Sequence, residues 1–273
     1  MKIVLSGSSS GIGRFLAERL LFQGHHVWGI ARSDQSGSIA SANFRSSRCD
    51  VSDWDQVTNV AAAIESTWGK IDAIIAAAGV QGAIGPAMNV NPKEWAQTIH
   101  ANLSGSFFLI RALFKQLSSS QNRAKVICFS GGGSTAPRAN FSAYGAAKTA
   151  LVRLVETLAA EWSADAVDIN AVAPGAIYTR LTEEVLRLGP SVVGEQEYQA
   201  ALRQTRDANV ALEKVGDLID FLLSSRSDGV TGRLLSAPWD PWKNLSLHQQ
   251  SLMHSDVYTL RRILPQERNL NFE

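Results

Sequence analysis

Short apolar runs alternate with longer segments of helical periodicity from residue 3 to about residue 236. The apolar runs predict strands at residues 3–6, 26–31, 44–49, 72–77, 125–129, 167–172 and 233–236. Apolar residues that recur every three or four positions predict helices at residues 14–23, 53–68, 95–117, 142–163 and 214–223. The segment 95–117 fits one long helix or two consecutive ones. Because apolar strands separated by helices form parallel sheets covered on both faces, we expect a single-domain α/β fold with a doubly wound parallel sheet of about seven strands.

The composition is typical of one globular domain and argues against a nucleic-acid partner. The 273 residues are 45% hydrophobic and 19% charged, with a net charge of +1, so we expect a sizeable core and no nucleic-acid partner. The apolar run at the amino terminus is too short for a signal peptide or a membrane span, and no metal site is expected. We therefore predict a cytoplasmic protein without membrane attachment, in which Cys49 and Cys128 are buried free thiols.

A glycine-rich turn follows the first predicted strand and opens the first helix. In such a turn, glycines allow close approach of the backbone, and the helix N-terminus presents free N–H groups to a pyrophosphate. The turn therefore predicts a Rossmann-type nucleotide-binding domain. Its candidate cofactor-binding residues are Gly7, Ser9, Ser10, Gly11 and Ile12.

The residue at the end of the second strand indicates which nucleotide binds. An acidic side chain at that place selects NAD through the ribose hydroxyls, whereas this chain has Ala31 followed by Arg32. A guanidinium can fork onto a 2′-phosphate, so we predict that NADP(H) is preferred over NAD(H). The alternative is that Arg32 is only a solvated surface charge.

Tyr144 and Lys148 form a candidate pair for proton transfer. Because they are four residues apart on a predicted helix, they share one face and can point into one site. A nearby lysine cation favours a phenolate and lowers the pKa of a tyrosine from about 10, which would make Tyr144 a usable proton donor and acceptor. Such pairs also occur by chance on helix surfaces, so the other motifs are needed to support a catalytic role for this pair.

Several motifs, in the same order, resemble those of the classical short-chain dehydrogenase/reductase family over residues 1–236. They are S-G-S-S-S-G-I-G at residues 6–13, C-D-V at 49–51, Asn102, Tyr144 with Lys148, and P-G-A-I-Y-T at 174–179. The resemblance implies that Asp50 holds the adenine amino group, that Val51 packs beside the adenine ring, and that Asn102 supports a proton relay. It further implies cofactor contacts from Ala78, Gly79, Tyr144, Lys148, Pro174, Gly175, Ile177 and Thr179.

Two positions depart from the family pattern. The sequence N-N-A-G, usual after the fourth strand, is A-A-A-G here at residues 76–79, which removes side chains that tie the central sheet together. The serine that polarises the substrate carbonyl in the family falls on Gly131. Because consecutive glycines allow a bulge that can re-aim a neighbouring side chain, we favour Ser130 for this role. Ser134 in that role, or no serine at all, are the alternatives.

The resemblance implies hydride transfer between nicotinamide and a carbonyl or secondary alcohol of a small, polar substrate, with reduction favoured. Tyr144 would donate the proton, Lys148 would lower its pKa and hold the nicotinamide ribose, and Asn102 would anchor the proton relay. A non-catalytic NADPH-binding protein and a sugar-modifying epimerase or dehydratase are the alternatives. The family resemblance also implies a homodimer or a homotetramer.

Two segments outside these motifs are expected to shape the molecule around the site. Residues 180–210 predict an amphipathic lid over the carboxyl ends of the strands, with arginines that either face solvent or meet an anionic substrate group. Residues 237–273 form a carboxyl-terminal extension, in which Trp239 and Trp242 predict aromatic burial and residues 246–264 an amphipathic helix. We expect the extension to pack on the domain or on a neighbouring subunit, and closure over the active site is the alternative.

Overall fold

Seven parallel strands form one sheet in the computed structural model, which describes residues 1–117, 123–204 and 208–271. The strands are β1 (Lys2–Ser6), β2 (His26–Ala31), β3 (Phe44–Arg48), β4 (Ala73–Ala76), β5 (Ala124–Phe129), β6 (Val167–Ala173) and β7 (Leu234–Ser236). Their order across the sheet is β3-β2-β1-β4-β5-β6-β7. The predicted Rossmann-type, doubly wound α/β fold is confirmed.

Helices cover both faces of the sheet. They are α1 (Gly11–Phe22), α2 (Trp54–Trp68), α3 (Pro92–Ile99), α4 (Gly105–Leu113), α5 (Ser142–Glu161), α6 (Arg180–Leu188), α7 (Pro190–Val193), α8 (Glu195–Arg203), α9 (Ala208–Leu223) and α10 (Gln249–Met253). One apolar core joins the sheet to α2, α4 and α5, and a second joins it to α1, α9 and the carboxyl-terminal extension. Ile74 and Ile75 of β4 face different cores, because successive side chains of a strand point to opposite faces. This double burial explains why the strands are continuous apolar runs.

The reversal of strand order between β1 and β4 positions the candidate site. The chain builds outward from β1 to β3 on one side of the sheet, then crosses back and adds β4 to β7 on the other. In open parallel sheets, a ligand crevice forms at such a reversal, beyond the carboxyl ends of the strands. Ser6 and Ala76, the last residues of β1 and β4, are paired there. The segments that follow these two strands therefore border the same crevice.

The helical segment predicted at residues 95–117 contains two α-helices joined by a π-helical turn. Helix α3 begins after Asn91, whose side chain accepts a hydrogen bond from the Lys93 amide and so caps the first turn. Residues His100–Ser104 form the π-helical turn, and α4 follows it directly. A π-helical turn adds one residue to the turn and is frequent at functional sites. Here it buries Asn102.

The predicted lid folds as α6, α7 and α8 together with the start of α9, and residues 205–207 of this segment lie outside the described residues. The buried side of the lid shares one apolar cluster with the start of α5. The members of this cluster, which we call the lid cluster, are Phe141, Tyr144, Val185, Val193 and Ala201. The lid and the candidate tyrosine therefore belong to one apolar cluster.

The carboxyl-terminal extension packs on the domain, but the predicted helix over residues 246–264 is wrong beyond Met253. Helix α10 ends there, and the chain later passes through a left-handed Tyr258 with φ of 63°. The buried guanidinium of Arg233 donates hydrogen bonds to the backbone carbonyls of Ser255 and Val257 in this stretch, and to that of Leu252 near the end of α10. Because these carbonyls bind Arg233, the stretch is held in an irregular conformation.

One of the two tryptophans of the extension is buried as predicted. Trp242 packs on Phe221 of α9 with ring centres 5.7 Å apart, and its indole N–H donates to the Ala237 carbonyl. Trp239 is 83% exposed, so its predicted burial is wrong. The extension is thus held on the domain by Trp242 and by Arg233.

Cys49 and Cys128 are both buried free thiols, as predicted. Burial raises the pKa of Cys49 to about 11 and that of Cys128 to about 12, so both thiols stay protonated at neutral pH.

Within the described ranges, no helix has the length and apolar character needed to cross a bilayer.

Candidate active site

The glycine-rich turn between β1 and α1 is packed so closely that side chains cannot replace its glycines. A Cβ atom at Gly7 would lie 2.8 Å from the backbone nitrogen of Ala78, and one at Gly13 would lie 2.2 Å from the Gly7 carbonyl oxygen. Gly7 and Gly11 also have φ angles of 76° and 52°, which favour glycine. The N-cap residue Ser10 provides no side-chain cap for α1, so the first N–H groups of the helix can bind an anion.

This turn borders a cavity of about 1040 Å³ at the carboxyl ends of the strands. The predicted cofactor-binding residues that line the cavity are Gly7, Ser9, Ser10, Gly11, Ile12, Arg32, Asp50, Val51, Ala78, Gly79 and Thr179. The predicted site residues that lie outside its wall are Ser130, Asn102, Tyr144, Lys148, Pro174, Gly175 and Ile177. The structure therefore brings the predicted phosphate- and adenosine-binding residues together around one cavity, and the predicted proton-transfer residues are not part of its lining.

The segments that follow β2 and β3 form the end of the cavity where adenosine is predicted to bind. Arg32 has an exposed side chain, and its carbonyl accepts a hydrogen bond from Arg48 Nε at 3.0 Å. Asp50 Oδ1 accepts hydrogen bonds from the amide and the hydroxyl of Ser52, at 3.0 and 2.7 Å. Val51 is buried beside it. These contacts fix the backbone at the predicted adenine-binding residues.

A contact between Ser8 and Gln35 braces the glycine-rich turn, and the sequence did not predict it. Ser8 is fully buried, and its hydroxyl donates to Gln35 Oε1 at 3.0 Å. Gln35 is itself buried, although it belongs to a Ser- and Gly-rich stretch that is typical of a surface loop. No local pattern marks this glutamine as a buried partner of the turn.

Tyr144 and Lys148 are buried on one face of α5, with exposed fractions of 7% and 4%. Lys148 Nζ donates to the Phe129 carbonyl at 2.8 Å and lies 5.7 Å from the centre of the Tyr144 ring. A Cβ atom at Gly79 would lie 3.5 Å from the same nitrogen. Because Gly79 has no side chain, the ammonium group approaches the cavity wall at that point.

The ionisation of this pair differs from the prediction. Burial raises the pKa of Tyr144, and the Arg138 cation opposes that rise. Burial also lowers the pKa of Lys148 to about 8. The predicted lowering of the Tyr144 pKa by Lys148 is therefore wrong in this structure, because desolvation of the phenol outweighs the attraction of nearby positive charge.

Asn102 joins the π-helical turn to the segment that follows β4. Its side-chain nitrogen donates to the carbonyls of Val80 and Thr98, both at 2.9 Å, and its side-chain oxygen accepts from the Val80 amide at 3.2 Å. A Cβ atom at Gly79 would lie 2.8 Å from that oxygen. Asn102 thus fixes the backbone that leads away from Gly79, next to Lys148. Its part in a proton relay stays a prediction.

Gly131 lies against the Tyr144 hydroxyl, at the position where the family has its serine. A Cβ atom at Gly131 would lie 2.3 Å from the phenol oxygen. Ser130 extends the β5 strand, since its amide donates to the Val172 carbonyl at 2.8 Å. Its buried hydroxyl has no hydrogen-bond partner among the described residues. The assignment of Ser130 or Ser134 as the polarising serine stays a prediction.

The segment after β6 meets both the glycine-rich turn and the extension. A Cβ atom at Gly11 would lie 3.4 Å from the Thr179 methyl group, so these two segments are in contact. Gly175 has a φ of 81°, and a Cβ atom there would lie 2.8 Å from Pro238 of the extension. Ile177 is buried, and its carbonyl accepts a hydrogen bond from the first turn of α6. The start of the extension therefore packs on the segment predicted to hold nicotinamide.

Arg138 connects the start of α5 to the lid. Its guanidinium lies 3.6 Å from the centre of the Phe141 ring and 5.8 Å from that of Tyr144. Nε and Nη2 both lie 2.9 Å from Glu197 Oε2 of α8, and Nη1 donates to Gln81 Oε1 at 3.4 Å. No local pattern could reveal this contact, because Arg138 and Glu197 are 59 residues apart.

Comparisons with known proteins point to one family. The family model described as enoyl-(acyl carrier protein) reductase matches residues 7–237. The 3beta-hydroxysteroid dehydrogenase of Mediterraneibacter gnavus is 30% identical over 188 residues, which are 66% of this chain and 67% of that protein. The 3-oxoacyl-[acyl-carrier-protein] reductase FabG of Escherichia coli is 26% identical over 237 residues, 85% of this chain and 93% of that protein. The crystal structure of levodione reductase has a TM-score of 0.75 at 25% identity, with 90% of this chain and 97% of that chain covered.

The matched region contains the glycine-rich turn, the Tyr144–Lys148 pair and the segment after β6. It covers far more than half of the chain, and the sheet agrees with the fold of the structural neighbours. The chain belongs to the classical short-chain dehydrogenase/reductase family of oxidoreductases.

Proposed function

We propose that this chain is an NADP(H)-dependent carbonyl reductase, which transfers a hydride between nicotinamide and a carbonyl or secondary alcohol of a small, polar substrate. The observation that carries the proposal is the burial of Tyr144 and Lys148 on one face of α5, with Lys148 against the cavity wall at Gly79. Titratable groups with perturbed pKa values beside a cavity are typical of active sites. Relatives named for a hydroxysteroid and for a 3-oxoacyl group support a carbonyl or alcohol substrate.

The shape and chemistry of the cavity support a dinucleotide with a 2′-phosphate. Gly7 and Gly13 allow the tight turn, because a Cβ atom at either would clash with neighbouring backbone, and the start of α1 would offer its N–H groups to the diphosphate. Thr179 would contact the diphosphate from the opposite side, Asp50 would hold the adenine amino group, and Arg32 would bind the 2′-phosphate. When bound, nicotinamide supplies the hydride in reduction and accepts it in oxidation.

The predicted catalytic residues, which lie outside the cavity lining, would transfer a proton to and from the substrate oxygen. Tyr144 would donate its phenol proton to the substrate oxygen in reduction and take it back in oxidation. Lys148 would hold the nicotinamide ribose, because its ammonium group reaches the wall at Gly79. Asn102 would anchor a proton relay toward Lys148, and Ser130 would polarise the carbonyl by a hydrogen bond to its oxygen.

Loss of NADPH absorbance with a panel of carbonyl compounds tests this function. We expect turnover of at least one member of a panel of keto sugars, 3-oxoacyl thioesters and steroid ketones. Tight NADPH binding without turnover of any member would instead support a non-catalytic NADPH-binding protein. Conversion of a sugar without net consumption of NADPH would support an epimerase or dehydratase.

The nucleotide preference is tested by Arg32→Ala. We expect the wild-type chain to bind NADPH more tightly than NADH, and the variant to lose about tenfold to hundredfold in NADPH affinity, because a hydrogen-bonded charge contributes about 1.5–3 kcal/mol. Binding of NADH should not change. Fluorescence titration gives the Kd values, and Arg45→Ala on the exposed side of β3 is the matched control. Equal Kd values of the wild-type chain for NADPH and NADH would refute the preference.

The two candidate serines are separated by Ser130→Ala and Ser134→Ala. We expect Ser130→Ala to lower kcat by about 10²- to 10³-fold, the usual effect of removing one hydrogen-bond donor to a reacting oxygen. Its stability should stay unchanged, because the Ser130 hydroxyl has no hydrogen-bond partner to lose in the described parts of the chain. A loss confined to Ser134→Ala would transfer the role to that residue. Wild-type activity in both variants would exclude both serines.

The remaining expectations concern assembly and surroundings. A homodimer or homotetramer, a cytoplasmic location and a substrate-selecting role for residues 180–210 stay predictions. The extension contacts its own domain through Trp242 and Pro238, and its packing on a neighbouring subunit stays a prediction as well.

A further inference from the structure

Two cationic side chains lie at similar distances from the Tyr144 ring. The Lys148 ammonium is 5.7 Å and the Arg138 guanidinium 5.8 Å from the ring centre. The Lys148 ammonium donates to the Phe129 carbonyl, whereas the Arg138 guanidinium stacks on the Phe141 ring at 3.6 Å. The proposed proton donor is therefore influenced by a second cation besides the lysine of its own helix.

The two cations differ in the pH range where a buried phenol ionises. Burial lowers the pKa of Lys148 to about 8, so its charge depends on pH in the neutral to alkaline range. An arginine side chain in a protein keeps its charge up to about pH 12. Arg138 is thus a fixed positive charge 5.8 Å from the centre of the Tyr144 ring throughout that range.

Three contacts hold the Arg138 guanidinium where it is. Glu197 lies 2.9 Å from two of its nitrogens, Gln81 accepts a hydrogen bond at 3.4 Å, and the Phe141 ring supports its face. The Arg138 side chain is 15% exposed, so its charge is only partly screened by solvent. Because Glu197 belongs to α8, the lid supplies the counter-charge.

We propose that Arg138 is a positioning residue whose fixed charge favours the phenolate of Tyr144, and that Glu197 of the lid holds this charge and partly neutralises it. The assignment rests on the proposed function, since the ionisation of Tyr144 matters to catalysis only if the phenol exchanges a proton with the substrate. Besides Tyr144 and Glu197, the titratable groups on the neighbouring elements are Lys148, Arg153, Glu156 and Glu161 on α5, Lys125 and Cys128 on β5, and Glu195, Tyr198 and Arg203 on α8. Those of α6 that line the cofactor cavity are Arg180, Glu183, Glu184 and Arg187.

Nuclear magnetic resonance of the full-length chain, labelled with carbon-13 at the tyrosine Cζ atoms, measures the phenol midpoint directly. The chain has four tyrosines, and Tyr144→Phe identifies the resonance of interest. We expect R138Q to shift the Tyr144 midpoint to higher pH, because the fixed charge is lost. We expect E197Q to shift it to lower pH, because the guanidinium loses its counter-charge while Gln81 and Phe141 still hold it.

Two further variants complete the set. R138K keeps a positive charge without the planar, bidentate geometry, so its midpoint should lie between those of the wild type and R138Q. R111Q removes an exposed arginine of α4 and should leave the midpoint unchanged. Spectra of the backbone amides report whether each variant is folded.

The opposite signs separate an electrostatic role from a purely structural one. If Arg138 only fastened the lid, R138Q and E197Q would break the same ion pair and shift the midpoint in the same direction. The proposal holds if the midpoint rises in R138Q and falls in E197Q, and any other combination overturns it. If R138Q does not fold, E197Q decides alone, and a midpoint that fails to fall overturns the proposal.

The pH profile of alcohol oxidation gives a second readout once a substrate of the panel is turned over. The value of kcat/KM should rise with pH as the phenol ionises, and this limb should move to higher pH in R138Q. Below the limb, each pH unit of displacement corresponds to about a tenfold loss of kcat/KM. If Tyr144→Phe keeps its turnover, the proposed function is refuted. The resonance midpoints still test whether Arg138 affects the ionisation of Tyr144, because they do not depend on turnover.

Discussion

Tyr144→Phe is expected to lower kcat by about 10²- to 10⁴-fold, the range that a positioned acid–base group contributes, with NADPH affinity unchanged. The substitution removes one oxygen atom and keeps the ring that packs in the lid cluster, so the fold should be preserved. Steady-state kinetics with a ketone from the panel measure kcat. Fluorescence titration of NADPH measures the affinity.

Tyr258→Phe provides a matched control for the loss of a phenol hydroxyl. Tyr258 lies in the extension, where its backbone carbonyl accepts a hydrogen bond from the Leu234 amide. We expect wild-type kcat from this variant, because that contact does not involve the side chain. Wild-type turnover by Tyr144→Phe would refute the proposed chemistry and leave only the family membership and the fold.

Asp168→Ala is expected to lower the free energy of unfolding by about 3–5 kcal/mol, the usual effect of removing one partner from a buried ion pair. The Asp168 side chain is fully buried, and its oxygens accept hydrogen bonds from Arg123 at 2.7 Å and from Lys125 at 2.8 Å. Lys125 is 2% exposed and keeps Asp228, at 2.7 Å, as an acidic partner after the substitution. Because a folded domain is stable by about 5–15 kcal/mol, the loss should be plain in urea denaturation.

Two comparisons make this stability prediction specific. Glu18→Ala removes an exposed ion pair with Arg14 on α1 and should cost about 0.3–0.5 kcal/mol. Replacing both members of the buried pair, Lys125→Met with Asp168→Leu, should recover part of the loss. Both fully buried charges are then removed together, and the partners that remain, Arg123 and Asp228, are each 32% exposed. A loss in Asp168→Ala no larger than that of Glu18→Ala would contradict the assignment. The folded variant should bind NADPH normally, because the pair lies at the opposite ends of β5 and β6 from the candidate site.

The hydrophobic periodicity of the chain predicted the core strands and helices well. It was less successful at two segments, 95–117 and 246–264. The segment 95–117 left one helix or two open, because the π-helical turn at His100–Ser104 adds a residue and shifts the apolar spacing. The segment 246–264 has apolar residues at helical spacing, yet α10 ends at Met253. There Arg233, a residue of the preceding segment, binds carbonyls of the extension.

In the candidate site too, the sequence predicted what depends on neighbouring residues and missed what depends on distant contacts. The spacing of Tyr144 and Lys148 was sufficient to place both on the buried face of α5. The spacing could not show that burial would raise the pKa of the phenol, or that Gly131 would lie against its hydroxyl. Both facts depend on how the end of β5 and the lid pack on α5, which no local pattern records.

By itself, the sequence determined the alternation of strands and helices, the glycine-rich turn and the shared face of Tyr144 and Lys148, because these follow from the geometry of a few neighbouring residues. Only the tertiary structure decided which charges meet: Arg138 with Glu197, and Lys125 with Asp168. Such pairs join residues that are far apart in the chain. Their distance, burial and solvent screening, and therefore their effect on ionisation and stability, are fixed only when the elements pack together.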